Sequence, residues 1–171
     1  MENLEKIRHS LAHVLASAVT EFWPKAKLAI GPAIENGFYY DIEFPKPITP
    51  DDLKKIETRM KELIKENQQF VGKDVTKITA KKLFKNSPYK LEIIKELKEK
   101  TVGTYQNGAF LDLCRGGHVE NTSEINPNAF KLTKIAGAYW RGNEKNKMLT
   151  RIYGVAFENE KQLEDYLKMQ E

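Results

Sequence analysis

From Asn3 to Trp23 apolar residues recur at spacings of three and four (Leu4, Ile7, Leu11, Val14, Leu15, Ala18, Phe22), which predicts a helix that Pro24 stops. The period then changes. Leu28-Ala-Ile-Gly-Pro-Ala-Ile-Glu35 and Phe38-Tyr-Tyr-Asp-Ile-Glu-Phe44 flank Asn36-Gly37 and read as a hairpin with a two-residue turn, closed by Pro45-Lys-Pro47. Thr49 as cap, Pro50 at the first helical position and Asp52 near the dipole's positive end open a second helix. Its inward face is Leu53, Ile56, Met60, Leu63 and Ile64. After a short Val71–Ile78 segment, Thr79 is the expected cap of a brief helix through Phe84. Pro88 begins another, with Leu91, Ile94 and Leu97 inward. A second hairpin turns at Asn107-Gly108, between Val102-Gly-Thr-Tyr105 and Phe110-Leu-Asp-Leu-Cys114. Strands over Phe130–Trp140 and Met148–Phe157, joined by the polar loop Arg141–Lys147, precede a helix over Glu160–Met169. Helices and hairpins without regular strand–helix alternation predict an α+β fold: antiparallel hairpins in a partly open sheet or barrel around the long N-terminal helix, with further helices outside.

At 171 residues the chain has the size of one domain. Residues 1–70 and 101–171 are expected to carry a cleft, and 71–100 to form a small Lys-rich helical insertion. Apolar runs fall far short of the roughly 20 residues that cross a bilayer, so no membrane contact is expected. Met1-Glu2-Asn3-Leu4-Glu5 lacks the basic start and apolar run of a signal peptide, and Cys114 is the single cysteine. Together these place the chain in the cytoplasm with a free thiol. The formal charge of +4 permits an anionic partner without demanding one. Nine lysines lie between Lys73 and Lys100 against four acids, and six basic residues between Lys131 and Arg151 against Glu144 alone. A solvated lysine face and a nucleic-acid footprint both fit that distribution.

The candidate chemistry is concentrated in two pairs, His9-x-x-x-His13 and Cys114-x-x-x-His118. At about 100° per residue His9 and His13 share a helix face. Its other members, Ala12, Ala16 and Thr20, are small, as in a cleft wall. In the second hairpin a turn at Asn107-Gly108 pairs Tyr105 with Phe110, and strand alternation then puts Tyr105, Asp112 and Cys114 on one face. Gly116-Gly117 lets the chain fold back to bring His118 beside Cys114. Three imidazoles and a thiolate suit tetrahedral zinc, or three ligands and an open position. The same groups without metal suit general-base work on water and an ester. A Cys-His nucleophile is weaker, since no helix N-terminus is marked behind Cys114 to lower its pKa. Separate, unrelated pairs are the remaining reading.

Several stretches together resemble the editing region of threonyl-tRNA synthetases, the second N-terminal domain of the bacterial enzyme, which is related to the alanyl editing domains. They are Arg8-His-Ser-Leu-Ala-His13, Ala29-Ile-Gly-Pro-Ala-Ile-Glu-Asn-Gly-Phe-Tyr-Tyr-Asp41, Asp112-Leu-Cys-Arg-Gly-Gly-His-Val119, Ala136-Gly-Ala-Tyr-Trp-Arg-Gly142 and Met148-Leu-Thr-Arg-Ile-Tyr-Gly154. Gly117 stands where that pattern usually has proline. The resemblance implies hydrolysis of serine esterified to threonine tRNA, with the tRNA acceptor end as partner and a synthetase core fused in the native protein. It implies His9, His13, Cys114 and His118 as cleft residues, Tyr105 and Asp112 as polar contacts, and Lys90 as the lysine that follows a tyrosine. No cofactor is required in the threonyl branch, whereas a similar quartet holds zinc in the alanyl relatives. A zinc-dependent alanyl-type deacylase and a non-catalytic module for the tRNA acceptor end are the alternatives. The basic segments Lys81–Lys90 and Lys131–Arg151 are the expected phosphate contacts, and Tyr105 and Ala16 the expected size filter.

Overall fold

The structure, a computed structural model, describes residues 3–171; Met1 and Glu2, which open the segment read as leaderless, lie outside the described residues. The α+β architecture expected from the pattern is present as two antiparallel sheets, neither closed into a barrel, packed around the long helix α1 (Asn3–Phe22). Ser10 to Val19 of α1 are all buried, so the helix is enclosed rather than half solvated. Ser10, Ala12, Ala16, Ser17 and Ala18 make this feasible, because small side chains let backbone approach from several sides. Ala12 and Ala16, expected to wall the cleft, are instead fully buried in the main core with Phe38, Tyr40, Ile56 and Met60.

The main sheet runs β1 (Lys27–Leu28), β3 (Gly37–Glu43), β8 (Met148–Ala156), β7 (Phe130–Tyr139), with β2 (Ala33–Ile34) also paired to β3. The first hairpin forms, but Ile34 pairs with Gly37, so the turn residues are Glu35 and Asn36 rather than Asn36 and Gly37. Asn36 takes the positive φ, 65°. Gly37 is needed as the first strand residue, since a Cβ there would stand 1.9 Å from the Gly154 carbonyl oxygen. A β-bulge at Thr133 lies between Leu132 and Lys134. Leu132 therefore faces the core while Lys134 faces outward beside Tyr153, a parity that regular alternation would forbid.

Helix α2 (Pro50–Ile64) forms as expected, with a Thr49–Asp52 capping box and Ile56, Met60, Leu63 and Ile64 buried. The Val71–Ile78 segment is largely a strand, β4 (Phe70–Thr76), which pairs with β5 (Thr101–Asn107) and through it with β6 (Phe110–Leu113) in the second sheet. Helix α3 (Lys77–Leu83) is capped by Thr76, not Thr79, because the strand delivers Thr76 with extended backbone and its hydroxyl accepts from Thr79 N. Helix α4 (Pro88–Glu96) starts at Pro88 as expected, and α5 (Glu160–Met169) also follows the predicted bounds. In the second hairpin Asn107 pairs with Phe110 and Tyr105 with Asp112, which puts the turn at Gly108 and Ala109. The register differs by two residues from the expected one. A shift of two preserves side-chain parity, so Tyr105, Asp112 and Cys114 still share a face.

Candidate active site

Three elements meet at the site. Helix α1 supplies His9 and His13, one turn apart; β6 and the residue after it supply Asp112 and Cys114; the loop 115–118 returns His118. The loop is anchored at both ends, by Cys114 N donating to Gly103 O (3.0 Å) and Val119 N donating to the Ser10 hydroxyl (3.0 Å). Gly103 permits the first contact, since a Cβ there would lie 2.5 Å from the Cys114 carbonyl oxygen. Gly116 and Gly117 have φ of 118° and 92°, so the return depends on glycine conformations. A proline, fixed near −65°, could not adopt the backbone of Gly117.

The four expected donors converge: one ligand-type atom from each of His9, His13, Cys114 and His118 lies within 4.8 Å of the others. Cys114 Sγ is 3.3 Å from His9 Nε2 and 3.5 Å from His118 Nε2. His9 Nδ1 donates to Gly117 O at 3.3 Å, which turns its Nε2 toward Cys114. Behind His13, Asp112 Oδ2 lies 3.1 Å from His13 Nδ1, an ion-pair contact off the line that a hydrogen bond prefers. Lys90 Nζ donates to Asp112 Oδ1 at 2.6 Å and to the Tyr40 hydroxyl at 2.9 Å, and Tyr40 in turn donates to Asp112 Oδ2 at 2.8 Å.

This network fixes charge. Burial alone would raise Asp112, but the Lys90 ammonium and His13 hold its carboxyl well below the usual carboxylate range. Burial would lower His13; the Asp112 carboxylate and then Cys114 overcome it and bring the imidazole up to about 9. Burial would likewise raise the Cys114 thiol, yet hydrogen bonding to His118, His13 and His9 brings it down to about 4. His118 is lowered, chiefly by burial. At neutral pH the site therefore holds Asp112 and Cys114 as anions against Lys90 and His13 as cations.

A cleft of about 610 Å³ opens over this cluster, lined by His9, His13, Lys90, Asp112 and Cys114 and, across from them, by Ile30, Gly31, Pro32 and Ile93. Tyr105 and His118 stand behind the lining. The Tyr105 ring packs on His118 at 4.4 Å between centroids, and Phe70 stacks on the same imidazole at 5.3 Å. Lys90 is 4% exposed and committed to Asp112 and Tyr40, so it is a buried positioning group and not part of a phosphate-facing surface. Lys81, Lys82 and Lys85 are exposed. In the other basic segment Arg141 is paired with Glu96, Lys147 with Glu43 and Arg151 with Asp41, while Lys131, Lys134 and Lys145 are exposed.

Tyr40 is the polar contact that sequence reasoning missed. Its alternation with Phe38 and Ile42 marks it as inward, but nothing local shows that Lys90 and Asp112, 50 and 72 residues away, meet its hydroxyl. Gly31 is its companion: a Cβ there would fall 2.1 Å from the Tyr40 ring.

The donor set fits zinc. With Zn–S near 2.3 Å and Zn–N near 2.0 Å, a tetrahedral edge is about 3.5 Å, close to the sulfur–nitrogen separations here. The Nδ1 contacts of His9 with Gly117 O and of His13 with Asp112 have the form of outer partners that orient metal-binding imidazoles. His118 Nδ1 is buried without a hydrogen-bond partner among the described residues.

A family model described as the threonyl and alanyl tRNA synthetase second additional domain matches residues 102–153. The threonine–tRNA ligase of Dehalococcoides mccartyi is 53% identical over 171 residues, 100% of this chain and 29% of the relative. Those of Borrelia hermsii and Borreliella burgdorferi are 54% and 53% identical over 169 residues, each match covering 98% of this chain and 29% of the relative. The chain thus spans under a third of the length of the curated relatives it matches. The similarity to threonine–tRNA ligases runs over nearly all of the chain, and the family match includes the loop that bears Cys114 and His118, so the chain is similar to the second additional domain that the threonyl and alanyl synthetases share.

Proposed function

We propose that this chain is the editing domain of a threonyl-tRNA synthetase and hydrolyses the ester of serine mischarged on threonine tRNA. The observation that carries the reading is the convergence of His9, His13, Cys114 and the Lys90–Asp112 pair on one cleft, in a chain similar throughout to threonine–tRNA ligases. In this reading the ATP-dependent core lies elsewhere in a longer cytoplasmic protein, and the partner is the tRNA acceptor end.

The reaction is attack of water on the ester carbonyl, with the nucleotide hydroxyl leaving. His9 is the residue placed to orient the water and help take its proton, because it lines the cleft with Nε2 beside the Cys114 sulfur while Nδ1 is tied to Gly117. The Cys114 thiolate accepts a hydrogen bond from that water or from the substrate's ammonium, and His118 holds the thiolate from behind. His13, kept cationic by Asp112, supplies positive charge toward the developing oxyanion. Lys90 and Tyr40 act through Asp112 as positioning residues.

A synthetic site that accepts threonine can reject serine only by one methyl group, about 1–3 kcal/mol, so a second sieve is needed. Ala16 is buried in the core and Tyr105 lies behind His118, so neither lines the cleft. The filter falls to Ile30, Pro32 and Gly103, which do. Deacylation of the two charged threonine tRNAs tests this. Hydrolysis of the seryl ester with the threonyl ester spared is expected; equal rates overturn the sieve, and binding of tRNA with no hydrolysis of either ester leaves an acceptor-end binding module.

The donor geometry favours one second reading, a zinc-dependent deacylase of the alanyl type. Zinc held by His9, His13, Cys114 and His118 would supply Lewis acidity, but four protein ligands close the coordination sphere and occupy His9. Removal of metal by a chelator is therefore expected to leave the seryl rate within about twofold, well below the loss of several kcal/mol that a catalytic metal brings. Loss of the rate with restoration by zinc would establish the second reading.

A further inference from the structure

The outward face of the main sheet, on the side away from α1, carries an ordered array that the cleft does not use. Arg151 is bound to Asp41 by two hydrogen bonds of 2.7 and 2.9 Å, and its guanidinium lies over the Tyr39 ring at 3.9 Å. Tyr39 pairs with Tyr153 across β3 and β8, the rings 5.8 Å apart, and Lys134 lies over Tyr153 at 4.7 Å. Lys131 is exposed on the same face, next along β7 and paired with Val155. Ala136, opposite Arg151, leaves the space beside the guanidinium low.

Two features show that the array is built. The bulge at Thr133 reverses the parity of β7, and without it Lys134 would point into the core with Leu132. Asp41 is 4% exposed and is paired with Arg151, while among the described residues no acid lies within ion-pair distance of Lys131 or Lys134. A flat guanidinium and two half-buried tyrosines offer π surfaces for bases, and the ammonium groups of Lys131 and of Lys134, which lies over Tyr153, suit phosphates. An apolar partner would not match the lysines, and an acidic protein would make no use of the half-buried rings.

We propose that this face is a second RNA-contact surface, where an unpaired nucleotide stacks on Arg151 and Tyr153 while Lys131 and Lys134 take the flanking phosphates. The proposal extends the reading of the chain as an RNA-acting domain, but it concerns binding at the opposite face of the sheet from α1, not hydrolysis in the cleft.

The test uses the 171-residue chain and a short unacylated single-stranded RNA, an oligoadenylate that offers no ester to the cleft. Binding followed by fluorescence anisotropy is expected to weaken steeply with added salt, and to fall by about tenfold in Tyr153→Ala and comparably in Lys134→Glu. Tyr153→Phe keeps the ring and is expected to bind as the parent, which separates stacking from loss of fold. Amide shifts on adding the RNA should appear in β3, β7 and β8. Absence of binding at low salt, affinity untouched by Tyr153→Ala and Lys134→Glu, or shifts confined to the cleft would overturn the proposal. None of these outcomes bears on seryl-ester hydrolysis, so the two readings fail separately.

Discussion

Asp112 Oδ2 lies 3.1 Å from His13 Nδ1 with both side chains 3% exposed, and this contact joins the second sheet to the central helix. Because Lys90 reaches the other oxygen of the same carboxylate at 2.6 Å, one buried anion balances two cations from two different helices. The site is thus also a structural junction, and its variants should report on stability as well as on rate.

Asp112→Asn is expected to destabilise the chain by about 3–5 kcal/mol, since it leaves the Lys90 ammonium buried and unpaired. Lys90→Met combined with Asp112→Asn should cost clearly less than the sum of the two single changes, because no buried ammonium is left without its carboxylate and His13 can shed its proton. Urea midpoints of the three variants give the comparison. Additive costs would mean that the pair is not coupled.

Alkylation of Cys114 by iodoacetamide in metal-depleted protein should be nearly independent of pH from about 6 to 9, as expected for a thiol brought down to about 4 by its imidazole partners. An ordinary thiol would instead accelerate through that range. A rate that climbs toward pH 9 would place the proton on sulfur and remove the thiolate from the mechanism.

Stability against pH separates the two partners. His13 is raised from 6.5 to about 9, so its contribution is fully present below 6.5 and is lost as pH rises through about 9. Cys114 is lowered from 9.0 to about 4, so its contribution is present above 9.0 and is lost as pH falls toward 4. Between 6.5 and 9 the two slopes oppose each other and the parent chain should be nearly flat. Cys114→Ser, which removes the second slope, should lose stability over that interval, read as a falling urea midpoint. A flat profile for the variant would show that His13 is not held cationic.

Gly117→Pro should lower both the melting temperature and the seryl rate, because φ of 92° is closed to proline and the loop must move the carbonyl that orients His9. Gly117→Ala, with a left-handed penalty of roughly 1–2 kcal/mol, should do so more mildly. A proline variant that matched the parent in both measurements would show that the loop has another conformation competent for the reaction.

The readable parts of the fold are those governed by local chemistry. Thr49, Pro50 and Asp52 specify the start of α2 by themselves, since cap, ring and carboxylate all act within one turn. Turn position was harder, because Asn36-Gly37 has the composition of a two-residue turn while Gly37 is required one place later by contact with the distant Gly154. The site was legible to the extent that parity and helix period determine it: His9 with His13, and Tyr105 with Asp112 and Cys114. The role of Tyr40, the burial of Lys90 and the core position of Ala16 depend on how separate elements pack, which a periodic pattern does not contain. The outward position of the Lys134 side chain depends on the bulge at Thr133, which has no strong sequence signal.

The enclosure of α1 from Ser10 to Val19 has a dynamic consequence for the histidine that it carries inside that stretch. Amides in a helix buried along this stretch are expected to exchange hydrogen only through large-scale opening, which puts the backbone of His13, whose ring lines the cleft, in a slowly exchanging part of the molecule. The wall that carries it cannot yield locally to admit a bulkier ester. In the proposed reaction the ester would then be held between a wall as rigid as the fold itself and the Ile30, Pro32 and Gly103 side of the cleft.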